Sequence, residues 1–205
     1  MSASRPPQQL RAKRTRRNLL AAARRVLAER GYAEATIDDV AREAGCSKGA
    51  YYFHFASKEE VLLAVVDDWV RERSQRLAKV ANSKRAARTA LIDTIEALLI
   101  PDDDAGWEPR FLLEIWSQGQ HNREVGRRLA EAQRRWRELL VQAFRRVQEA
   151  GTLPAGVTPE SAAAVALALH GGLVIAAPLP NALTGKSLSA ALALLAAPTA
   201  LRRSG

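Results

Sequence analysis

Apolar residues recur along most of the chain at intervals of three and four, which is the period of an α-helix. No stretch keeps the alternating pattern of a β-strand for long. The clearest helical series precedes Gly151, and its apolar positions are Val125, Leu129, Ala132, Trp136, Leu139, Leu140, Ala143 and Val147. Taken over the 205 residues, the pattern predicts an all-α fold of about nine helices.

Two short helices are predicted close together near the N-terminus. Thr36 followed by Asp39 forms a capping box for the first of them, and Gly45 ends it. Ser47 is placed to cap the second, which has about two turns and ends near His54. Two short helices joined by a tight glycine turn are typical of a helix-turn-helix.

The flanking helices have their own start and stop signals. A helix around residues 19–27 precedes this pair and is expected to stop at Gly31. Ser57 with Glu60 forms a second capping box, which predicts a long helix that reaches about Val80. The remaining predicted helices cover roughly residues 91–99, 107–117, 125–150, 159–180 and 188–198.

Two of the later segments allow more than one interpretation. Residues 162–180 carry no charge and are long enough for a membrane span, but alanine dominates them, and two prolines end the run. A helix inside a bundle or a dimer interface explains this composition better. The acidic run of residues 102–104 allows a metal site, whereas a solvated loop is the simpler interpretation.

The net charge of +9 is concentrated at the N-terminus. Residues 1–28 contain no acid, and their basic residues are Arg5, Arg11, Lys13, Arg14, Arg16, Arg17, Arg24 and Arg25. Such a segment favours a polyanionic partner, either nucleic acid or an anionic membrane, although a solvated tail is an alternative. The single cysteine, Cys46, excludes an internal disulfide, suits a reducing cytoplasm and is expected to pack as a small apolar residue.

The second short helix carries chemistry suited to DNA. Its helical wheel places Lys48, Gly49, Tyr52 and Phe53 on one arc, with a cation, a small residue and a phenol side by side. The amides at its start can face a phosphate. Lys58 lies in the first turn of the next helix and predicts a further phosphate contact.

The stretch TIDDVAREAGCSKGAYYFHFASKEEVLLAV resembles the N-terminal signature of the TetR family of bacterial transcriptional regulators. The resemblance covers about 50 residues, from roughly Arg17 to Val66. It implies a three-helix DNA-binding domain followed by a larger helical domain that binds a small molecule and dimerises. The residues expected to lie at the DNA are Thr36, Ser47, Lys48, Gly49, Ala50, Tyr52, Phe53, His54 and Lys58.

Within this set the expected roles differ. Most of these residues are expected to contact phosphates, whereas Ala50 can reach a base edge with its methyl group. Tyr51 stands where the family more often has leucine, so it is expected to pack inward, together with Phe55. The implied layout is a basic arm over residues 1–14, a helix-turn-helix domain over 15–57 and a regulatory domain over 58–205, linked by a helix over 58–81.

A ligand pocket is the least specified part of the prediction. The candidate lining residues are Trp107, Phe111, Ile115, Trp116, Trp136 and His170, and each of the aromatic residues fits a plain core equally well. Gln120 and His121 are further polar candidates. The last two predicted helices, which are rich in alanine, suit a four-helix dimer interface.

These observations predict a cytoplasmic homodimer that binds a partly palindromic double-stranded DNA operator and is released from it by a small molecule. The alternative is a ligand-independent architectural or co-regulatory DNA-binding protein. The three histidines are far apart, and no sequence motif of a hydrolase, nucleotide-binding or metal site occurs. We therefore expect no enzyme activity, no cofactor and no metal.

Overall fold

The computed structural model describes residues 8–99 and 107–176 of the chain. These residues form eight helices and contain no strand, so the predicted all-α class is confirmed. The helices are α1 (Gln8–Glu34), α2 (Ile37–Glu43), α3 (Lys48–His54), α4 (Lys58–Ala81), α5 (Ala87–Leu99), α6 (Trp107–His121), α7 (Arg123–Glu149) and α8 (Pro159–Ala176). The predicted last helix and the acidic run at 102–104 lie outside the described residues.

Helix α1 differs from its prediction at the N-terminal end. It begins at Gln8, so residues 8–14 of the predicted basic arm are helical, while residues 1–7 lie outside the described part. Arginine and lysine are good helix formers, which explains how a basic segment can extend the helix. At the other end Gly31 leaves the helical conformation, with φ 73° and ψ 167°, before the chain forms one last turn.

Local capping explains the short helices. The Thr36 side chain accepts the Asp39 amide and the Asp39 carboxylate accepts the Thr36 amide, so the predicted capping box of α2 is present in full. The second predicted box is only half formed. Ser57 Oγ accepts the Glu60 amide at 3.0 Å, but the Glu60 carboxylate accepts the amide of Ala56 rather than that of Ser57.

The chain divides into two compact units. The first comprises the described residues of Met1–Arg71 and Asp103–Ala130, and the second those of Glu72–Asp102 and Glu131–Gly205. In the first unit α6 packs on α1, and α1 also packs on α2. Compactness therefore groups α6 with the helix-turn-helix, whereas the predicted functional boundary at residue 58 stays a prediction.

Helix α8 confirms that the uncharged segment is helical up to Ala176. By its length and mean hydropathy of 1.4 it is the one helix in the described part that would suffice to cross a membrane, and 33% of it is buried. Its buried residues include Ala163, Ala166, His170 and Val174, which recur at intervals of three and four on one side of the helix. A helix with one packed face fits a helical bundle better than a span surrounded by lipid.

Candidate nucleic-acid interface and regulatory core

The five consecutive ring residues of α3 and its C-cap differ in how far they are buried. Tyr51 and Phe55 are fully enclosed, whereas Tyr52 is 49% and Phe53 is 76% exposed. The Tyr51 hydroxyl donates to the carbonyl oxygen of Ser57 at 3.1 Å, and burial raises the pKa of Tyr51 to about 12. The prediction that Tyr51 and Phe55 pack inward is confirmed, and the two neighbouring rings of Tyr52 and Phe53 are exposed.

The start of α3 is capped and open. Ser47 Oγ accepts the amide of Ala50 at 3.1 Å, and a side chain at Gly49 would meet only the Ser47 hydroxyl. Lys48 forms an ion pair with Asp38 at 3.0 Å, and both side chains are more than half exposed. Their hydrogen bond raises the pKa of Lys48. An exposed pair of this kind is weak, so a phosphate can replace Asp38 at small cost.

Thr36 and its partner form a tight local network. The Thr36 hydroxyl donates to Asp39 Oδ2 at 2.7 Å, and this hydrogen bond lowers the pKa of Asp39. Arg42 and Arg30 contact the same carboxylate at 3.0 and 3.4 Å. The hydroxyl of Thr36 is exposed and already engaged, so its predicted DNA contact has to use a remaining lone pair or the backbone.

His54 lies at the end of α3 and is half-buried. Partial burial and then the positive charge of Arg16 lower its pKa, which favours a neutral imidazole. The Arg16 guanidinium lies 5.2 Å from the centre of the Phe55 ring, so this part of α1 reaches the end of α3. His54 is therefore suited to a neutral hydrogen bond, and Arg16 adds the charge. Arg16 was not among the predicted site residues, although the basic run contained the signal.

Lys58 has partners that the sequence did not predict. Its ammonium donates to the carbonyl oxygen of Ala33 at 3.0 Å and lies 4.6 Å from the centre of the Tyr32 ring. An ammonium group has three donors, so one contact to the protein leaves others for a phosphate. Lys58 thus joins the start of α4 to the end of α1.

The predicted pocket residues lie in different compact units. Phe111 and Ile115 are fully buried in the first unit, and Trp116 beside them is half-buried. Trp136 and His170 lie in the second unit, where their rings meet edge to face at 6.2 Å. The Trp107 side chain lies outside the described part. Their assignment to one pocket stays a prediction, and so do the polar handles Gln120 and His121, both exposed.

Two buried tryptophans have polar partners. Trp69 Nε1 donates to Glu108 at 2.9 Å, and its ring meets Phe111 edge to face at 6.4 Å. In the second unit, Trp136 Nε1 donates to the hydroxyl of Ser74 at 2.9 Å. The buried carboxylate of Glu108 was missed from the sequence, although one acid within an aromatic segment is a usable signal.

Arginine side chains close the end of α5 inside the second unit. Arg73 is 2% exposed and donates to the carbonyl oxygens of Ala97 and Leu98, at 2.9 and 3.1 Å. Arg76 donates to Ala97 as well, at 2.7 Å. Cations at the last carbonyls of a helix are favourable because of the helix dipole. The sequence prediction did not include this cap.

The described residues contain no group of three or more His, Cys, Asp or Glu side chains that could hold a metal ion. Two of the surface grooves in the described part have volumes of about 370 and 350 Å³. The first lies along α7 in the second unit and the second between α1 and α4 in the first unit. Neither is lined by a residue of the predicted ligand pocket.

Comparison with known families decides the identity of this arrangement. Residues 19–65 match the family described as bacterial regulatory proteins, tetR family. Residues 86–198 match the BetI-type transcriptional repressor, C-terminal. The chain belongs to the TetR family. That family consists of transcriptional regulators, so the predicted resemblance is confirmed and extends into the regulatory half.

Individual relatives agree with this membership. The regulator CymR of Pseudomonas putida is 43% identical over 108 residues, which span about half of each chain (51% and 52%). SrpR of the same species is 26% identical over 80% of this chain and 75% of its own. A transcriptional regulator of Saccharomonospora viridis, solved with choline, has 25% identity and a TM-score of 0.76, covering 88% of this chain and 94% of that one.

Proposed function

We propose that this protein is a cytoplasmic, homodimeric TetR-family repressor that a small molecule releases from a partly palindromic DNA operator. The observation that carries the proposal is the division of α3, in which Tyr51 and Phe55 anchor the helix while Tyr52 and Phe53 stay exposed beside Lys48. A helix that is fixed on one side and open on the other suits insertion into a major groove.

The proposed contact set keeps the predicted residues and adds one. Lys48, Tyr52 and Lys58 would contact phosphates, His54 would donate or accept a neutral hydrogen bond, and Ala50 would face a base edge. The remaining members, Thr36, Ser47, Gly49 and Phe53, would line the same surface. Arg16 would join them, because its position beside Phe55 brings a positive charge to the end of α3.

The basic start of α1 would extend this surface. Lys13, Arg14, Arg16 and Arg17 are exposed on a helical segment. Removing residues 1–14 should weaken operator binding and reduce the slope of log K against log[salt], because fewer counterions are released. An unchanged slope would contradict a role for this segment at the DNA.

The proposed dimer uses the exposed apolar side of α8. Val165, Leu169 and Ile175 are 68%, 43% and 59% exposed on a helix that is otherwise alanine-rich. Apolar side chains of this kind are stabilised by burial against a second copy. Two recognition helices would then read two half-sites about one helical turn apart.

For the effector we propose an organic cation. The C-terminal half matches the BetI type, and the related structure from Saccharomonospora viridis holds choline. In this chain, Trp69, Phe111 and the buried carboxylate of Glu108 lie together. Aromatic faces with a carboxylate are a chemistry that recognises quaternary ammonium groups. We propose no catalytic role for these residues.

Selection of bound fragments from a random DNA pool, followed by anisotropy titration, tests the function. The expected result is one partly palindromic sequence, bound far more tightly than scrambled DNA of equal length. Choline and related cations are then scanned for compounds that raise the melting temperature and also release the DNA. Specific binding that no ligand relieves would favour the architectural alternative, and absence of sequence preference would contradict the proposal.

A further inference from the structure

The end of α1 contains a break at the entrance to the helix-turn-helix. Gly31 has φ 73°, a conformation that favours glycine. After Gly31 the chain forms one more helical turn, and α2 follows. A break of this kind interrupts the i→i−4 hydrogen bonds of the helix. The amide of Tyr32, just after it, donates to Glu114 Oε1 of α6 at 2.9 Å.

Glu114 fits closely against this break. A side chain at Gly31 would come within 3.2 Å of Glu114 Oε2, so the glycine allows the carboxylate its position. The side-chain Nε2 of Gln118, one turn further along α6, donates to Glu114 Oε1 at 2.9 Å and fixes the orientation of the carboxylate. Glu114 is half-buried, which strengthens a charged hydrogen bond compared with one in water.

The same segment is held from a second helix. Lys58, at the start of α4, donates to Ala33 and covers the Tyr32 ring. Residues 31–33 are therefore fixed by a carboxylate from α6 and by an ammonium from α4. These residues lead directly into Thr36 and the cap of α2, against which α3 packs.

We propose that Glu114 is a positioning residue for DNA binding: it ties α6 to the break at Gly31–Tyr32 and so sets the placement of α2 and α3. This inference rests on the proposed function, because it assumes operator binding through α3. Glu114 lies between Phe111 and Ile115, two of the predicted pocket residues on α6, and Phe111 is also one of the proposed effector contacts. A shift of α6 that follows effector binding moves the carboxylate and loosens the break.

The direction of the effect follows from preorganisation. If residues 31–33 are loosened, they must become ordered when DNA binds. The entropy lost in this ordering lowers the affinity for the operator. Loss of a negative charge alone acts in the opposite sense, since it favours binding to a polyanion. Replacement of the carboxylate by an amide keeps an acceptor for Tyr32 but removes the charge, so a pair of variants separates the two effects.

The experiment compares Glu114→Ala and Glu114→Gln in the full chain, by operator affinity and by hydrogen exchange at the Tyr32 amide. For Glu114→Ala we expect about 10-fold weaker binding, an unchanged salt slope and faster exchange at Tyr32. Glu114→Gln should bind within about 2-fold of the wild type. Glu138→Ala, which removes an exposed acid from α7, is the charge control and should bind as tightly as the wild type or slightly more tightly.

Several results would overturn the proposal. The proposal is wrong if Glu114→Ala exchanges faster at the Tyr32 amide and yet binds the operator with normal affinity. It is also wrong if Glu114→Gln loses as much operator affinity as Glu114→Ala. If Glu114→Ala does not fold, Gln118→Ala carries the test, with about 3-fold weaker binding expected and normal binding contradicting the inference. Failure of the wild type to bind any operator would instead contradict the proposed function.

Discussion

The rings of α3 and the buried tryptophans of the two units differ in burial and in hydrogen bonding. In α3 the side chains change from enclosed to exposed within a single turn, since Tyr51 is buried and Tyr52 is not. Trp69 and Trp136 are both 3% exposed, and each donates its Nε1 to a partner remote in the sequence. The first arrangement leaves aromatic side chains at the surface, where we propose that DNA binds, whereas the second places its polar groups in the interior.

The difference shows which residues can change without loss of the fold. A short helix has only two turns in which to anchor itself and to present a surface, so neighbouring positions have opposite sensitivities. The buried tryptophans allow no such separation, because their ring packing and their hydrogen bond act at the same site. In α3, therefore, some mutations should change the stability of the fold and others the DNA affinity. At the tryptophans, a mutation should remove ring packing and the hydrogen bond together.

The largest effect is expected for a pair of variants in α3. Tyr51→Ala should lower the free energy of unfolding by about 3–5 kcal/mol, because it opens a cavity beneath the helix. Tyr52→Ala should change that free energy by less than about 0.5 kcal/mol while weakening operator binding about 5-fold. Urea unfolding and anisotropy measure the two quantities. Equal losses of stability would remove the distinction between anchor and contact.

At the tryptophans, Trp69→Phe should lower the free energy of unfolding by about 2–3 kcal/mol. The buried Glu108 carboxylate loses this donor, and the smaller ring also reduces the packing. Trp136→Phe should cost about 1–2 kcal/mol, since the partner left behind is the neutral hydroxyl of Ser74. The matched control is Trp116→Phe, at a half-buried site where the described residues show no hydrogen bond from the ring nitrogen. The order of the three unfolding midpoints is the result to check.

A smaller effect is expected at Lys48, which is exposed, and at Lys58, which is half-buried. Lys48→Ala and Lys58→Ala should each weaken operator binding by roughly 5- to 10-fold and reduce the salt slope by about 1, with the preferred sequence unchanged. Lys48→Ala should leave stability unaltered, whereas Lys58→Ala also loses the bond to Ala33 and should unfold slightly more easily. A changed operator preference would assign the residue to base recognition.

A further effect, confined to alkaline pH, is a pH dependence that belongs to Tyr51. The pKa of Tyr51 is raised to about 12 in the folded protein, whereas an unfolded tyrosine has a pKa of about 10. The unfolded chain loses this proton first, so the stabilisation is complete below pH 10 and declines as the pH rises toward 12. Unfolding midpoints between pH 9 and 11.5 should fall less steeply in Tyr51→Phe than in the wild type.

Much of the DNA-binding half was predictable because its signals are local. Thr36 with Asp39, Gly45 and Ser47 fixed the limits of α2 and α3 within a residue or two, since a cap involves atoms only a few positions apart. Similar signals placed the start of α4 correctly. They did not predict that the Glu60 carboxylate would accept a hydrogen bond from the amide of Ala56, because a carboxylate can accept from any amide within reach.

The helix ends that failed were those without a strong signal. Helix α1 was predicted to begin near Leu19, but nothing in the basic run before it breaks a helix. The helix in fact begins at Gln8. Helix α6 likewise continues past Ser117 to His121. In both cases the residues beyond the predicted end tolerate a helix, and only the neighbouring packing determines how far it extends.

The sequence by itself determined the helical period, the caps and the inward direction of Tyr51 and Phe55, because each depends on residues within one or two turns. Tertiary structure alone decided that Glu114 binds the Tyr32 amide, that Lys58 covers Tyr32 and that Trp69 meets Glu108. These partners lie far apart in the sequence, and a polar side chain carries no mark of its partner. Packing brings the two together.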